Sequence, residues 1–505
     1  MVSPAPDAAP GSASPLKTDA GTPLAVVHLS AEYYPYARTG GLAEAVSGLA
    51  DYQRRAGIRV VVIMPLHRTV RDAAPDLEPV GAPFPVQVGL RSEEARLYRV
   101  GGAASGPEVY FIEHLEYFNR AGLYGEGGID YPDNARRFGF FCLAALLALP
   151  RIVLGPLVLH AHDWHTALAP LYLRTVLARE PLRTRALTVL SVHNPGYQGH
   201  FPAAVVPELG LPWTVYNWQQ LEWYGQANLL KGGMAFSDAV VTVSPTQAAE
   251  LRTPGGGFGL HGTFRALGNR LTGILNGIDQ TVWTPDRDSQ ITATYSADRL
   301  EGKQRCKTAL QRSFGLPQRR TVPLFGFTGR MVRQKGLDLI LNATSLLAVD
   351  AQFVFLGHGE RRYGDALIAL ATAAPNRVGV QLAFTDRLEH QLMAGSDLFL
   401  MPSEYEPCGL TQMRAQRYGA PPVARRVGGL ADTILDDETG FLFDGYTPAD
   451  FEAAAFRALD HFTDPVRWRT MMRAAMARDF SWEGSAARYL DVYRRAAQRA
   501  REVSA

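Results

Sequence analysis

Short runs of Val, Ile, Leu and Ala recur along the chain, separated by longer stretches with apolar residues at helical spacing. A continuous apolar run reads as a strand buried on both faces. Intervals long enough for a crossover helix make neighbouring strands parallel. In the first half the runs are Ala25–Leu29, Val60–Met64, Val109–Ile112, Leu157–His160, Leu187–Val192 and Val240–Val243. In the second half they are Leu271–Leu275, Val322–Thr328, Gln352–Leu356, Val378–Leu382, Leu398–Met401 and Pro422–Ala424. The pattern predicts an α/β protein of two Rossmann-like, doubly wound domains facing each other across a deep cleft.

Length agrees with that division, since 505 residues exceed one hydrophobic core. The expected domains are 23–270 and 271–480, joined near Arg265–Thr272, with 481–505 a last helix returning towards the first domain. Residues 1–22 are rich in Ala, Pro, Ser and Gly and lack the apolar centre of a signal peptide, so they read as a disordered leader. Apolar runs such as Phe140–Leu149 are too short to cross a bilayer. A formal charge of +2 gives no argument for nucleic acid or an anionic membrane as partner. Cys142, Cys306 and Cys408 stand in dissimilar contexts, with neither a disulfide framework nor metal spacing, which fits a reducing, cytoplasmic setting.

Ligands of open parallel sheets bind beyond the carboxyl ends of the strands. Two such ends in the second half carry charge: Gly329-Arg-Met-Val-Arg-Gln-Lys-Gly-Leu-Asp338 and Tyr405-Glu-Pro-Cys-Gly-Leu-Thr-Gln412. Arg330 and Lys335 are fixed cations suited to a diphosphate leaving group. Cys408, Gly409, Leu410 and Thr411 open a helix whose amides suit phosphate. Glu406 precedes that turn. A carboxylate there also has a plain structural use, offsetting the helix dipole. Glu404, two residues earlier, is expected to face away into solvent.

In the first half, Arg38-Thr-Gly-Gly-Leu-Ala43 follows the first strand, and Gly40 and Gly41 let backbone amides approach a ligand, although a Gly-Gly pair alone is also a common turn. His160-Ala-His-Asp-Trp-His165 invites a zinc reading. His160 and His162 read as pointing to opposite faces of their strand, and the sequence offers no Cys or distant Glu/His cluster to complete a site, so no metal site is expected. Asp163 and Trp164 are instead expected to hold sugar hydroxyls and to stack on a sugar ring. His193 and Asn194 close another strand beside Tyr197-Gln-Gly, where a hydroxyl could be read.

These fragments occur in order with Ser244-Pro-Thr, Leu275-Asn-Gly-Ile-Asp and Gly428-Gly-Leu-Ala-Asp-Thr433. Together they resemble bacterial glycogen synthase and plant starch synthase across nearly the whole chain. The resemblance implies a GT-B fold and transfer of glucose, with retention, from ADP-glucose to the non-reducing end of an α-1,4-glucan such as glycogen. It implies no cofactor. Arg330 and Lys335 would neutralise the diphosphate, Glu406 would hold the glucose hydroxyls, and His193 and Asp163 would lie at the transferring glucose. Asn276 would serve from the domain junction and Phe384 would stand near the base. Departures from the pattern are Arg38 for Lys, Glu44 for Asp, Glu404 for Arg and Phe384 for Tyr. They bear on the choice between ADP- and UDP-glucose. The alternatives are a GT-B transferase with another donor or acceptor, and an inactive glucan-binding homologue. A phosphorylase is disfavoured by the shorter chain and the lack of a pyridoxal-lysine segment.

Overall fold

The computed structural model describes residues 24–74, 76–101 and 106–504; the 1–22 leader lies outside the described residues. Two compact units result. One takes the described residues up to Val243, together with Ala248–Gly277 and those from Trp482 onward. The other takes Ser244–Gln247 and Ile278–Ser481.

The first unit is built on a sheet whose parallel part runs, in spatial order, Leu271–Gly273, Ala239–Thr242, Ala186–Val192, Leu157–His162, Ala25–Leu29, Val60–Pro65 and Glu108–Glu113. Ala25–Leu29 and Leu157–His162 are fully buried along their length, as apolar runs covered by helices on both faces should be. The chain lays strands outward on one side of Ala25–Leu29, then returns to Leu157–His162 and continues on the other. The gap between these two strands is therefore the topological switch point.

An antiparallel edge extends the sheet. Arg91–Val100 pairs with Glu108–Glu113, with Leu77–Pro79 and with Phe84–Val88. Phe84–Val88 alternates buried and exposed residues, the mark of a strand covered on one face only. Leu271–Leu275 was expected to begin the second half. The strand is Leu271–Gly273 and pairs with Ala239–Thr242 in the first sheet. A short apolar run specifies a strand but not which sheet receives it.

The helix Trp482–Ser504 buries Trp482, Ala486, Tyr489, Tyr493 and Ala496, a stripe at helical spacing, on the cluster that includes Val26, Val62 and Val158 of the first unit's sheet.

The second unit repeats the topology with six parallel strands: Val378–Gln381, Gln352–Leu356, Leu324–Thr328, Leu398–Met401, Pro422–Arg425 and Phe441–Phe443. Its core gathers Phe325, Phe353, Leu400, Val423 and Phe441. The switch point here lies between Leu324–Thr328 and Leu398–Met401. Arg330 and Lys335 follow the first of these strands and Glu406 follows the second.

Candidate active site

At the second unit's switch point the two charged loops meet. Lys335 Nζ donates to Glu406 Oε2 at 2.5 Å, and Ser403 Oγ donates to the same oxygen at 3.1 Å. Glu406 is only 5% exposed, while the Lys335 side chain keeps 21% of its surface in solvent. The carboxylate is thus fixed and the ammonium remains reachable. Arg330 lies half-buried on the Lys335 loop. That loop is braced by hydrogen bonds from the Met331 amide to the His358 carbonyl and from the Glu360 amide to the Met331 carbonyl, both 2.8 Å.

Two glycines make the approach of the loops possible. Gly336 has φ 70°, and a Cβ there would overlap the Pro402 carbonyl oxygen. Gly428 has φ 42°, and a Cβ there would overlap the Glu406 carbonyl oxygen.

Gly409, Leu410 and Thr411 lead into the helix Thr411–Arg417. Gln412 Nε2 holds this turn through the carbonyls of Cys408 at 2.9 Å and Gly409 at 3.0 Å. Phe384 is half-buried on the loop after Val378–Gln381. Glu404 keeps 36% of its side-chain surface in solvent, as expected, and pairs there with the exposed Arg333 at 3.3 Å.

The first unit's switch point is organised by a buried acid of the strand end Ser30-Ala-Glu-Tyr-Tyr34, to which the sequence alone assigns no role. Glu32, 3% exposed, accepts hydrogen bonds from the Thr39 amide (2.7 Å), the Thr39 hydroxyl (2.6 Å) and the Tyr124 hydroxyl (2.6 Å). It thereby pins the loop that presents Gly40 and Gly41, both exposed; Gly40 has open space where a side chain would stand. Arg38 and Glu44, two of the departures noted above, form an ion pair at 3.1 Å.

Across the same switch point, Asp163 adopts φ 58° and accepts from the amides of His193 (2.7 Å) and Asn194 (3.3 Å). Those bonds hold a non-glycine residue in the left-handed region. Burial pushes the Asp163 carboxyl up to about 7, against these two amides and with nearby Glu32 adding to the rise. Asn276 is buried, and its Oδ1 has no hydrogen-bond partner among the described residues.

Trp164 is a correction. Its ring packs against Phe138 (5.3 Å between centroids), His165 (4.2 Å) and Phe201 (5.8 Å) inside the hydrophobic core, so it is not available to stack on a sugar. It follows the left-handed turn at Asp163, which directs the next side chain into the core.

The model for the starch synthase catalytic domain matches residues 25–266, and that for glycosyl transferases group 1 matches residues 311–471. A glycogen synthase of Anaeromyxobacter dehalogenans is 45% identical, covering 93% of this chain and 99% of its own. One from Syntrophotalea carbinolica is 44% identical over 93% and 98%. The chain belongs to the glycogen synthase family. The catalytic domain of starch synthase IV from Arabidopsis thaliana, solved with ADP and acarbose bound, superposes with a TM-score of 0.86 at 34% identity, covering 94% of this chain and 99% of that one. The fold is GT-B.

In this glycogen synthase family member the histidines of the first unit are not distributed as expected. Residues two apart on a strand share a face. His160 and His162 therefore point the same way, their rings 4.3 Å apart, and His28 lies opposite His160 in register with both rings about it at 5.1 and 5.2 Å. The ring nitrogens of the three could in principle surround an ion. Every one of them is already hydrogen-bonded to a protein group. His28 reaches His162 and Gln53, His160 reaches Tyr493 and Ser191, and His162 reaches His28 and His193. Each neutral ring has one lone pair, and a protein group already lies within hydrogen-bond distance of it, so the cluster is a hydrogen-bond network as it stands.

Among the described residues no helix is long and apolar enough to cross a membrane.

Proposed function

We propose that this protein is a glycogen synthase, transferring glucose from ADP-glucose to the non-reducing end of an α-1,4-glucan with retention of configuration in the cytoplasm. The observation that carries the reading is the Lys335–Glu406 pair, with Arg330 on the same loop, at the second unit's switch point. It occurs in a chain whose relatives are glycogen synthases and whose structural neighbour was solved with ADP.

Breaking the glucosyl bond leaves an oxocarbenium-like sugar and a nucleoside diphosphate, and both need charge stabilisation more than they need a strong base. Lys335 and Arg330 supply positive charge to the diphosphate, joined by the amides of the Gly409–Thr411 turn. Glu406 is held by Lys335 and Ser403 so that its remaining oxygen can accept sugar hydroxyls. His193, Asn194, Asp163 and Asn276 hold the glucose and acceptor side, with Gly40 and Gly41 at the loop beside them. The acceptor hydroxyl attacks from the leaving-group face and passes its proton to the departing phosphate, so Glu406 is not a nucleophile. The cations make this chemistry self-sufficient in charge.

The test offers ADP-glucose and UDP-glucose in parallel with a glycogen primer and quantifies glucose incorporated. Faster incorporation from ADP-glucose is expected. Preference for UDP-glucose would reassign the donor, and no incorporation from either would mark an inactive glucan binder.

A further inference from the structure

His193 is held at one ring nitrogen by a chain of buried groups that reaches the C-terminal helix. His193 Nε2 lies 3.0 Å from His162 Nδ1, His162 Nε2 lies 2.9 Å from His28 Nδ1, and His28 Nε2 lies 2.8 Å from Gln53 Oε1. The other end of the Gln53 amide, Nε2, donates to the Tyr493 hydroxyl at 3.1 Å. A second branch continues from Tyr493 to His160 Nδ1 at 2.8 Å and from His160 Nε2 to Ser191 Oγ at 2.7 Å. His28, Gln53, His160 and His162 have no exposure, and Tyr493 is 1% exposed.

The direction of every proton in this chain follows from Gln53. Its Oε1 can only accept, so His28 carries its proton on Nε2 and offers the lone pair of Nδ1. His162 must then donate from Nε2 and accept at Nδ1, and His193 must donate from Nε2. The second branch agrees: Tyr493 accepts from Gln53, donates to His160 Nδ1, and leaves His160 to donate to Ser191. Two chains starting from the two ends of one amide impose a single proton arrangement. Burial keeps the rings neutral, lowering His28 to about 4, His193 to about 3, and His160 and His162 well below the ordinary value. Among the described residues nothing hydrogen-bonds His193 Nδ1, and the ring is partly exposed.

We propose that Gln53 is a positioning residue which, through His28 and His162, fixes His193 as the Nε2–H tautomer and leaves Nδ1 as a permanent acceptor for a hydroxyl of the transferring glucose. The function of that acceptor rests on the reading of His193 given above. The tautomer itself does not. In the opposite tautomer Nδ1 would donate, and a sugar hydroxyl would lose the partner for its proton. Tyr493 contributes by accepting from the Gln53 amide nitrogen, which holds that end of the amide away from His28.

The experiment is performed on the full-length enzyme with 15N-labelled histidine, the His193 resonances being assigned by their loss in His193→Ala. The wild type is expected to show a protonated Nε2 and an unprotonated Nδ1. Gln53→Leu is expected to mix the two tautomers, and Tyr493→Phe to do so to a smaller degree. A wild-type His193 protonated on Nδ1, or an unchanged tautomer in both variants, overturns the proposal. In kinetics, Gln53→Leu should lower kcat by about tenfold, the scale of losing a group that orients a functional side chain. In a His193→Ala background the same change should cost nothing further. Equal losses in both backgrounds would mean a merely structural glutamine and also overturn the proposal. If His193→Ala leaves kcat intact, the reading of His193 as a glucose contact fails, while the 15N spectra still decide the relay. Should Gln53→Leu fail to fold, Tyr493→Phe carries both measurements.

Discussion

The two units use one topology for two kinds of chemistry. At the second unit's switch point the candidate groups are charged and few: a buried Glu406 paired with a partly exposed Lys335, and Arg330 half-buried on the Lys335 loop. At the first unit's switch point they are buried and largely neutral: Asp163 raised towards neutrality, four histidines held uncharged, and Glu32 committed to three donors. The difference suits two kinds of recognition. A diphosphate is recognised by net charge, and reachable cations serve it. A sugar is recognised by the direction of its hydroxyls, and that requires donors and acceptors that cannot rotate or change protonation.

The largest effect is expected at the ionic side. Lys335→Ala should lower kcat by about two orders of magnitude or more, the scale for removing a charge stabiliser of the transition state, with the fold intact by circular dichroism. Wild-type turnover would remove the cation from the mechanism.

The neutral side is sharpened by Asp163. Its folded-state value of about 7 lies above the ordinary 3.8, so the native protein holds the proton more tightly than the unfolded chain. The stability this confers is complete below about pH 4 and is lost as pH rises through about 7. Thermal unfolding from pH 5 to 8 should therefore show a fall in Tm for the wild type that is smaller in Asp163→Asn. Equal slopes would place the carboxyl in an ordinary, ionised state.

Trp164→Phe tests the boundary of the site. It should cost about 1–2 kcal/mol of stability from imperfect refilling of the core and leave the KM for glucan unchanged. A several-fold rise in that KM would return the indole to the sugar.

The smallest effect is expected at Arg38. Arg38→Lys should shift the KM for donor about threefold and the KM for glucan less, because a point charge replaces a planar fork. Glu44→Asp should behave similarly, since the two form one ion pair. No change in donor KM would make the pair a loop clasp.

The strands and their polar carboxyl ends were legible in the sequence, because a parallel sheet writes itself as apolar runs followed by the groups it presents. Arg330, Lys335 and Glu406 could be read for that reason. Glu32 stands at such an end too, in Ser30-Ala-Glu-Tyr-Tyr34, but nothing local singles it out. Its significance depends on Thr39 and Tyr124 arriving from elsewhere. The histidine network was hidden by a misjudged face at His160 and His162, and its other members, Gln53 and Tyr493, lie on helices far apart in sequence. Arg38 and Glu44 read as two separate departures, but their side chains meet, so they are one coupled change.

Under the proposed function the second unit's cations grip the diphosphate of the donor, and a crystal structure of the protein with ADP bound is the decisive measurement. Diphosphate oxygens are expected within hydrogen-bonding distance of Lys335 Nζ and the Arg330 guanidinium. A nucleotide bound elsewhere, with Lys335 still engaged only by Glu406, would contradict it.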